Sequence, residues 1–284
     1  MLNIRPNYKP DYVLGHLKDL ANRLENIEIG TNVDVFNAYH GWVNTALRVL
    51  GPALNSEALD LLVTTRRYWA LLAVDPGAAG TELTNLIRVE VQERKDAFKV
   101  SADELANWIE RFEPNGSMAV LDTVVLMRHG TELQGLDWHG LLNERPDVPI
   151  TVWIPLVAVD ELDSLKRDRG EMVLGENVFP RRNLARNALA AIGTMFAGSA
   201  LKNGHALRRE DIFDRVSFRL QVEDLGHVRL PTGDAEITSV AQSLVPFAAR
   251  MSLVTYDNAM AFRSRAIGLN AVLMPEPEYP EKKK

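Results

Sequence analysis

"AVLDTVVLMRHG", residues 119–130, decides how the C-terminal half of this chain folds. Ala119, Val120 and Leu121 read as a buried strand, an acid follows at Asp122, and Val124, Val125, Leu126 and Met127 turn apolar again. A carboxylate between two apolar runs is costly to bury unless something compensates it. Asp122 therefore either caps the next element or binds something.

Downstream, short apolar runs alternate with amphipathic stretches. Strands are expected at 118–122, 150–159, 215–224, 251–255 and 270–275, with helices at about 123–144, 159–169, 181–201, 234–250 and 257–267. Near-continuous apolar strands separated by helices predict a mostly parallel sheet covered on both faces. Upstream, Val13, Leu17, Leu20, Leu24 and Ile27 keep a 3.6-residue period, as do Phe36, Tyr39, Val43, Leu47 and Leu50. A third helix is expected around Leu61, Leu62, Trp69 and Leu72, and a fourth from Thr81. A fifth is expected at "SADELANWIERF", with Ser101 and Glu104 as a capping box. Trp42, Trp69 and Trp108 read as core. The domains expected are an all-α bundle over 1–116, an α/β domain over 117–276 and a flexible tail over 277–284.

With 284 residues, 46% hydrophobic and 25% charged, the composition is that of a water-soluble globular protein. No long apolar span or N-terminal h-region is present, so a cytoplasmic location without membrane association is expected. The absence of cysteine leaves only oxygen and histidine ligands for any metal. The net charge of −6 hides a patchwork: residues 117–163 carry 2 basic and 8 acidic groups, whereas 164–219 carry 11 and 6.

In an open parallel sheet, ligands bind beyond the carboxyl ends of the strands. Asp122 ends the first strand, Glu161 follows the second in "DELDSLKRD", and Asp257 follows the fourth in "SLVTYD". Asp234, in "TGDAEI", begins the helix leading into that fourth strand. Converging carboxylates stay ionised only around a cation, and oxygen-only ligation suits Mg²⁺ or Mn²⁺. For Asp234 and Asp257 a plain N-cap is the competing reading, and for Glu161 a solvated acid at a helix start.

Four local patterns, "AVLDTVVLM", "VWIPLVAVDELDSLKRD", "GDAEI" and "SLVTYDNAMAFRSRAIGL", resemble in order those of the PIN domain, specifically its bacterial branch found beside PhoH-type ATPases. The resemblance covers about residues 117–276 and implies a three-layer α/β/α sandwich. It places the family's metal-site acids on Asp122, Glu161, Asp234 and Asp257, puts Thr255 beside the last as a hydroxyl that holds water or acid, and leaves Glu236 as a substitute or assistant for Asp234. It also implies Mg²⁺- or Mn²⁺-dependent hydrolysis of phosphodiester bonds, normally in RNA, giving 5′-phosphate and 3′-hydroxyl ends. Lys166, Arg167, Arg181, Arg182 and Arg186, with Arg263 and Arg265 after Asp257, then become candidates for contacting RNA, and Arg169, Arg208, Arg209, Arg215 and Arg219 add to that basic rim.

No phosphate-binding loop, dinucleotide fingerprint or G-x-S-x-G elbow occurs, so the ATPase half of the PhoH-linked proteins is absent. The six histidines lack metal-ligand spacing, and only His129 stands near an acid motif. The expected function is a metal-dependent endoribonuclease of toxin or defence type. Its helical domain would bind an inhibitory or regulatory protein, self-associate or select substrate. A non-catalytic RNA-binding or scaffold protein and a structure-specific DNA nuclease stand as alternatives.

Overall fold

The computed structural model describes residues 2–27, 32–75, 81–112, 116–174, 177–197, 207–208, 215–223 and 226–275. The tail expected over 277–284 and the side chains of Arg208 and Arg209 lie outside the described residues. The chain forms two compact units, Met1–Phe112 and Glu113–Lys284.

The first unit is helical. Helices α1 (Pro10–Leu24), α2 (Asn32–Leu50) and α5 (Thr81–Ile109) pack on one another, and the short α3 (Ser56–Leu62) and α4 (Arg66–Leu72) lie against α5. Val13, Leu17, Leu20 and Leu24 bury one stripe of α1, as their spacing dictates. The helical unit differs from expectation in three places. The third helix is two, because Asn55 and Thr65 each cap a separate start through their side chains. Ser101 caps nothing, since it lies inside the 29-residue α5. Trp69 is 58% exposed, whereas Trp42 is buried and donates its indole N–H to the Leu20 carbonyl at 3.0 Å. The buried carboxylate of Glu90 is fully engaged: Tyr39 and Thr65 hydroxyls donate to it, and Arg67 and Arg94 pair with it at 3.1 and 3.2 Å.

The second unit is built on β1 (Ser117–Leu121), β2 (Ile150–Pro155), β6 (Val216–Gln221), β7 (Arg250–Thr255) and β8 (Asn270–Leu273). These five strands are parallel, in the order β6-β2-β1-β7-β8, with a two-residue antiparallel strand β5 (Leu207–Arg208) beside β6. Every residue of β1 and β2 is buried, and successive side chains point to opposite faces, so both faces are covered. The cover comes from flanking helices. Helices α6 (Thr123–His129), α8 (Leu156–Leu165) and α9 (Arg181–Met195) pack together, α10 (Gly233–Leu244) lies on β1 and β7, and α11 (Asn258–Ala266) lies on β7 and β8. Among the described residues no helix is long and apolar enough to cross a membrane.

Two departures from the expected elements matter. The helix predicted over 123–144 ends at His129, and a separate α7 (Trp138–Leu142) starts where the Asp137 side chain accepts the Gly140 N–H. At the break, Gly130 lies so near Ala188 of α9 that an added Cβ would come within 2.6 Å of its Cα. The stretch after α8 forms an antiparallel hairpin, β3 (Glu171–Leu174) with β4 (Asn177–Pro180), that the sequence reading omitted.

Candidate active site

The chain runs from β1 to β2 and on to β6 on one side of the sheet, then returns to place β7 and β8 on the other. The reversal falls between β1 and β7, and the carboxyl ends of those two strands flank the crevice where open α/β sheets bind ligands. Asp122 follows β1 there, and Thr255 ends β7.

Asp122 is 4% exposed, with a backbone N–H that continues the sheet pairing to the Val254 carbonyl at 3.1 Å. It occupies the N-cap position of α6, yet its side chain makes no capping bond. Instead the Thr255 hydroxyl donates to Asp122 Oδ2 at 2.8 Å. Burial pushes the Asp122 carboxyl up from 3.8 to about 6; the Thr255 bond opposes this, and the nearby charges of Asp234 and Glu161 add to it.

Glu161 lies deeper in its helix than expected. Pro155, which has no N–H to offer, closes β2 and starts α8 at once, so Glu161 sits more than one turn inside rather than at the start. From there its Oε2 accepts the hydroxyl of Thr123, the residue after Asp122. Its other oxygen presses on Gly233, where an added Cβ would overlap it. Glycine at the head of α10 is therefore what lets the Glu161 carboxylate lie against that turn.

Asp234 is not the cap of α10; Thr232 is, accepting the Ala235 N–H. The Asp234 carboxylate instead receives a bond from Arg263 Nη2 at 2.7 Å. Asp257 does cap α11, its Oδ1 accepting the N–H groups of Ala259 and Met260, while its own N–H donates to Thr255 at 2.9 Å. The link from Asp257 to Asp122 thus runs through Thr255. Glu236 is committed elsewhere: it is 2% exposed and accepts from His227 and the Leu230 N–H, which fixes the approach to α10.

Around these acids, His129 Nε2 and the Tyr256 hydroxyl share a 2.7 Å hydrogen bond, and the Arg128 guanidinium lies 4.1 Å from the Tyr256 ring centre. Burial holds the His129 imidazole below its ordinary range. This cluster ties the end of α6 to the turn that carries Thr255. Of the basic residues, Arg167, Arg182 and Arg186 are exposed, and the last two share a face of α9. Lys166 pairs with Asp163 at 2.5 Å, Arg181 with Asp168 at 3.7 Å, and Arg265 donates to the Ala271 carbonyl. Arg219 lies 5.7 Å from the Trp153 ring centre, on β6 and β2. Thr123 was absent from the sequence reading. The signal for it was a hydroxyl residue directly after a strand-ending acid.

The sequence matches the PIN domain family over residues 119–274, more than half of the chain. The chain belongs to the PIN domain family. No curated protein matches it. PIN domains are generally nucleases that use divalent metals and typically act on RNA, and the switch-point acids lie inside the matched segment. Among the described residues no three acidic or histidine side chains stand together in the arrangement that holds an ion. Asp122, Glu161, Asp234 and Asp257 are each drawn to partners of the chain's own: a threonine hydroxyl for the first two, Arg263, and helix amides. The donor set nevertheless suits a hard divalent ion, being carboxylates with hydroxyls beside them and no sulfur.

Proposed function

We propose that the protein is a Mg²⁺- or Mn²⁺-dependent endoribonuclease whose metal is held by Asp122, Glu161, Asp234 and Asp257. The observation that carries this reading is the buried carboxyl of Asp122, pushed up to about 6 by burial, with Asp234 and Glu161 adding to the rise. A divalent cation there favours the ionised form of all three. When bound, such an ion supplies the positive charge that polarises a phosphodiester and eases ionisation of an attacking water.

The chain's own residues set the rest. Thr255 orients Asp122 through Oδ2 and, by accepting the Asp257 N–H, keeps the two acids in register. Thr123, directly after Asp122 in the chain, holds Glu161 through its hydroxyl. Arg182 and Arg186, exposed on one face of α9, and Arg167 beyond α8 support binding of a phosphate backbone. In the helical unit, exposed Leu61, Trp69 and Leu72 support binding of a protein partner or self-association.

The test is incubation of end-labelled single-stranded RNA with purified protein in Mn²⁺ or Mg²⁺, followed by analysis of the new ends. Attack of water on phosphorus with the 3′-oxygen as leaving group breaks the P–O3′ bond and gives 5′-phosphate and 3′-hydroxyl termini. Cyclic-phosphate ends, which report attack by the ribose 2′-hydroxyl, would refute the mechanism.

A further inference from the structure

Arg263 lies on α11, the helix that Asp257 caps, and reaches across to Asp234 on α10, 29 residues earlier in the chain. The pair is open to water, with Arg263 62% and Asp234 43% exposed. Among the described residues it is the arginine found in an ion pair with one of the four acids. Other basic side chains of this unit are engaged elsewhere: Lys166 on Asp163, Arg181 on Asp168, Arg265 on a backbone carbonyl. A tethered guanidinium therefore stands on Asp234, whose charge acts on the buried Asp122.

We propose that Arg263 is a latch between metal and substrate: it sits on Asp234 in the metal-free protein, yields that carboxylate to a divalent ion, and once released binds a phosphate of the RNA strand. The inference rests on Asp234 being a ligand, as proposed above. Two cations that need the same carboxylate compete. An exposed ion pair contributes no more than about a five-fold factor, so a multiply held divalent ion displaces it readily. Guanidinium is also the side chain best matched to phosphate once free. By linkage, an ion that frees Arg263 for phosphate must itself bind more tightly when phosphate is present. Metal and RNA then assist one another, and the basic group shields the acids until the ion arrives.

The experiment compares wild type with Arg263→Gln, Arg263→Lys and Asp122→Asn. Mn²⁺ binding is measured by calorimetry without RNA, and binding of a fluorescent phosphorothioate single-stranded RNA is measured in Mn²⁺ and in EDTA. The latch predicts effects of opposite sign. Arg263→Gln binds Mn²⁺ about two- to five-fold more tightly, binds RNA several-fold more weakly in Mn²⁺, and binds RNA like wild type in EDTA, with Arg263→Lys between the two. Unchanged or weaker Mn²⁺ binding by Arg263→Gln overturns the latch, as does an equal loss of RNA binding with and without metal. Asp122→Asn separates the two levels of argument. If it weakens Mn²⁺ binding while Arg263→Gln has no effect, the metal site stands and the latch fails. If wild type binds no Mn²⁺, or Asp122→Asn binds it equally well, both are refuted.

Discussion

Replacing Asp122 by Asn should make the metal-free protein more stable, and the gain should depend on pH in a defined direction. The Asp122 carboxyl titrates near 6 in the folded chain against 3.8 ordinarily, so the native state holds this proton more tightly than the unfolded chain does. With the folded value raised, this group's contribution to stability declines as pH rises from about 4 to about 6, and the loss is complete above that window. A rise of about two units at 1.36 kcal/mol each gives a loss of about 3 kcal/mol. Asn has nearly the same shape, still accepts the Thr255 hydroxyl and carries no charge to bury. In EDTA at pH 8, Asp122→Asn should therefore exceed wild type by up to about 3 kcal/mol, a rise of roughly 6–12 °C in melting temperature for a domain of this size. At pH 4 the two proteins should converge. Scanning calorimetry across pH 4–8 reads this directly, and Mn²⁺ should narrow the gap at pH 8 by stabilising the charged form. A variant no more stable than wild type at pH 8, or a difference that ignores pH, would refute the placement of a compressed charge at this position.

Gly233→Ala should spare the fold, because alanine is a better helix former and only the mobile end of Glu161 stands in its way. It should nevertheless weaken Mn²⁺ binding measured by calorimetry, because Glu161 must leave its place; unaltered binding would remove Glu161 from the site. In the helical unit, Glu90→Ala leaves the 11%-exposed Arg94 without its buried partner and should destabilise that unit by about 3–5 kcal/mol. Thermal unfolding followed by circular dichroism checks this, and a loss under 1 kcal/mol would show that Arg67, Arg94 and Thr65 do not depend on that carboxylate.

The sheet was legible because its central strands are buried on both faces, which writes them as unbroken apolar runs. Asp122 was legible for the same reason, as the one acid set into such a run. The exposed hairpin was not: Met172, Val173, Val178 and Phe179 lie in a charged, glycine-containing stretch, and Val173 and Val178 pair across the hairpin in solvent rather than in a core. The close approach of α9 that leaves no room for a side chain at Gly130, where α6 ends, is a tertiary constraint invisible in a local pattern. Ser101 carried a sound local capping signal that the continuous α5 overrode, since a helix already running needs no cap. Asp122 could be placed at a strand end and Asp257 just past one from sequence, but Glu161 lies a turn deeper in α8 than its position suggested, and the partners of the acids were not readable at all. Thr123 meets Glu161 only through the packing of α6 on α8, and Arg263 meets Asp234 only because α10 and α11 converge beside β7.

The most direct measurement is cleavage of end-labelled single-stranded RNA by wild type and Asp122→Asn, side by side in Mn²⁺, Mg²⁺ and EDTA, with both folds verified by circular dichroism. The account predicts cutting by wild type that EDTA abolishes and that Asp122→Asn loses although its fold is more stable. Cleavage that persists in EDTA, or that Asp122→Asn retains, would contradict a carboxylate-held metal at the end of β1.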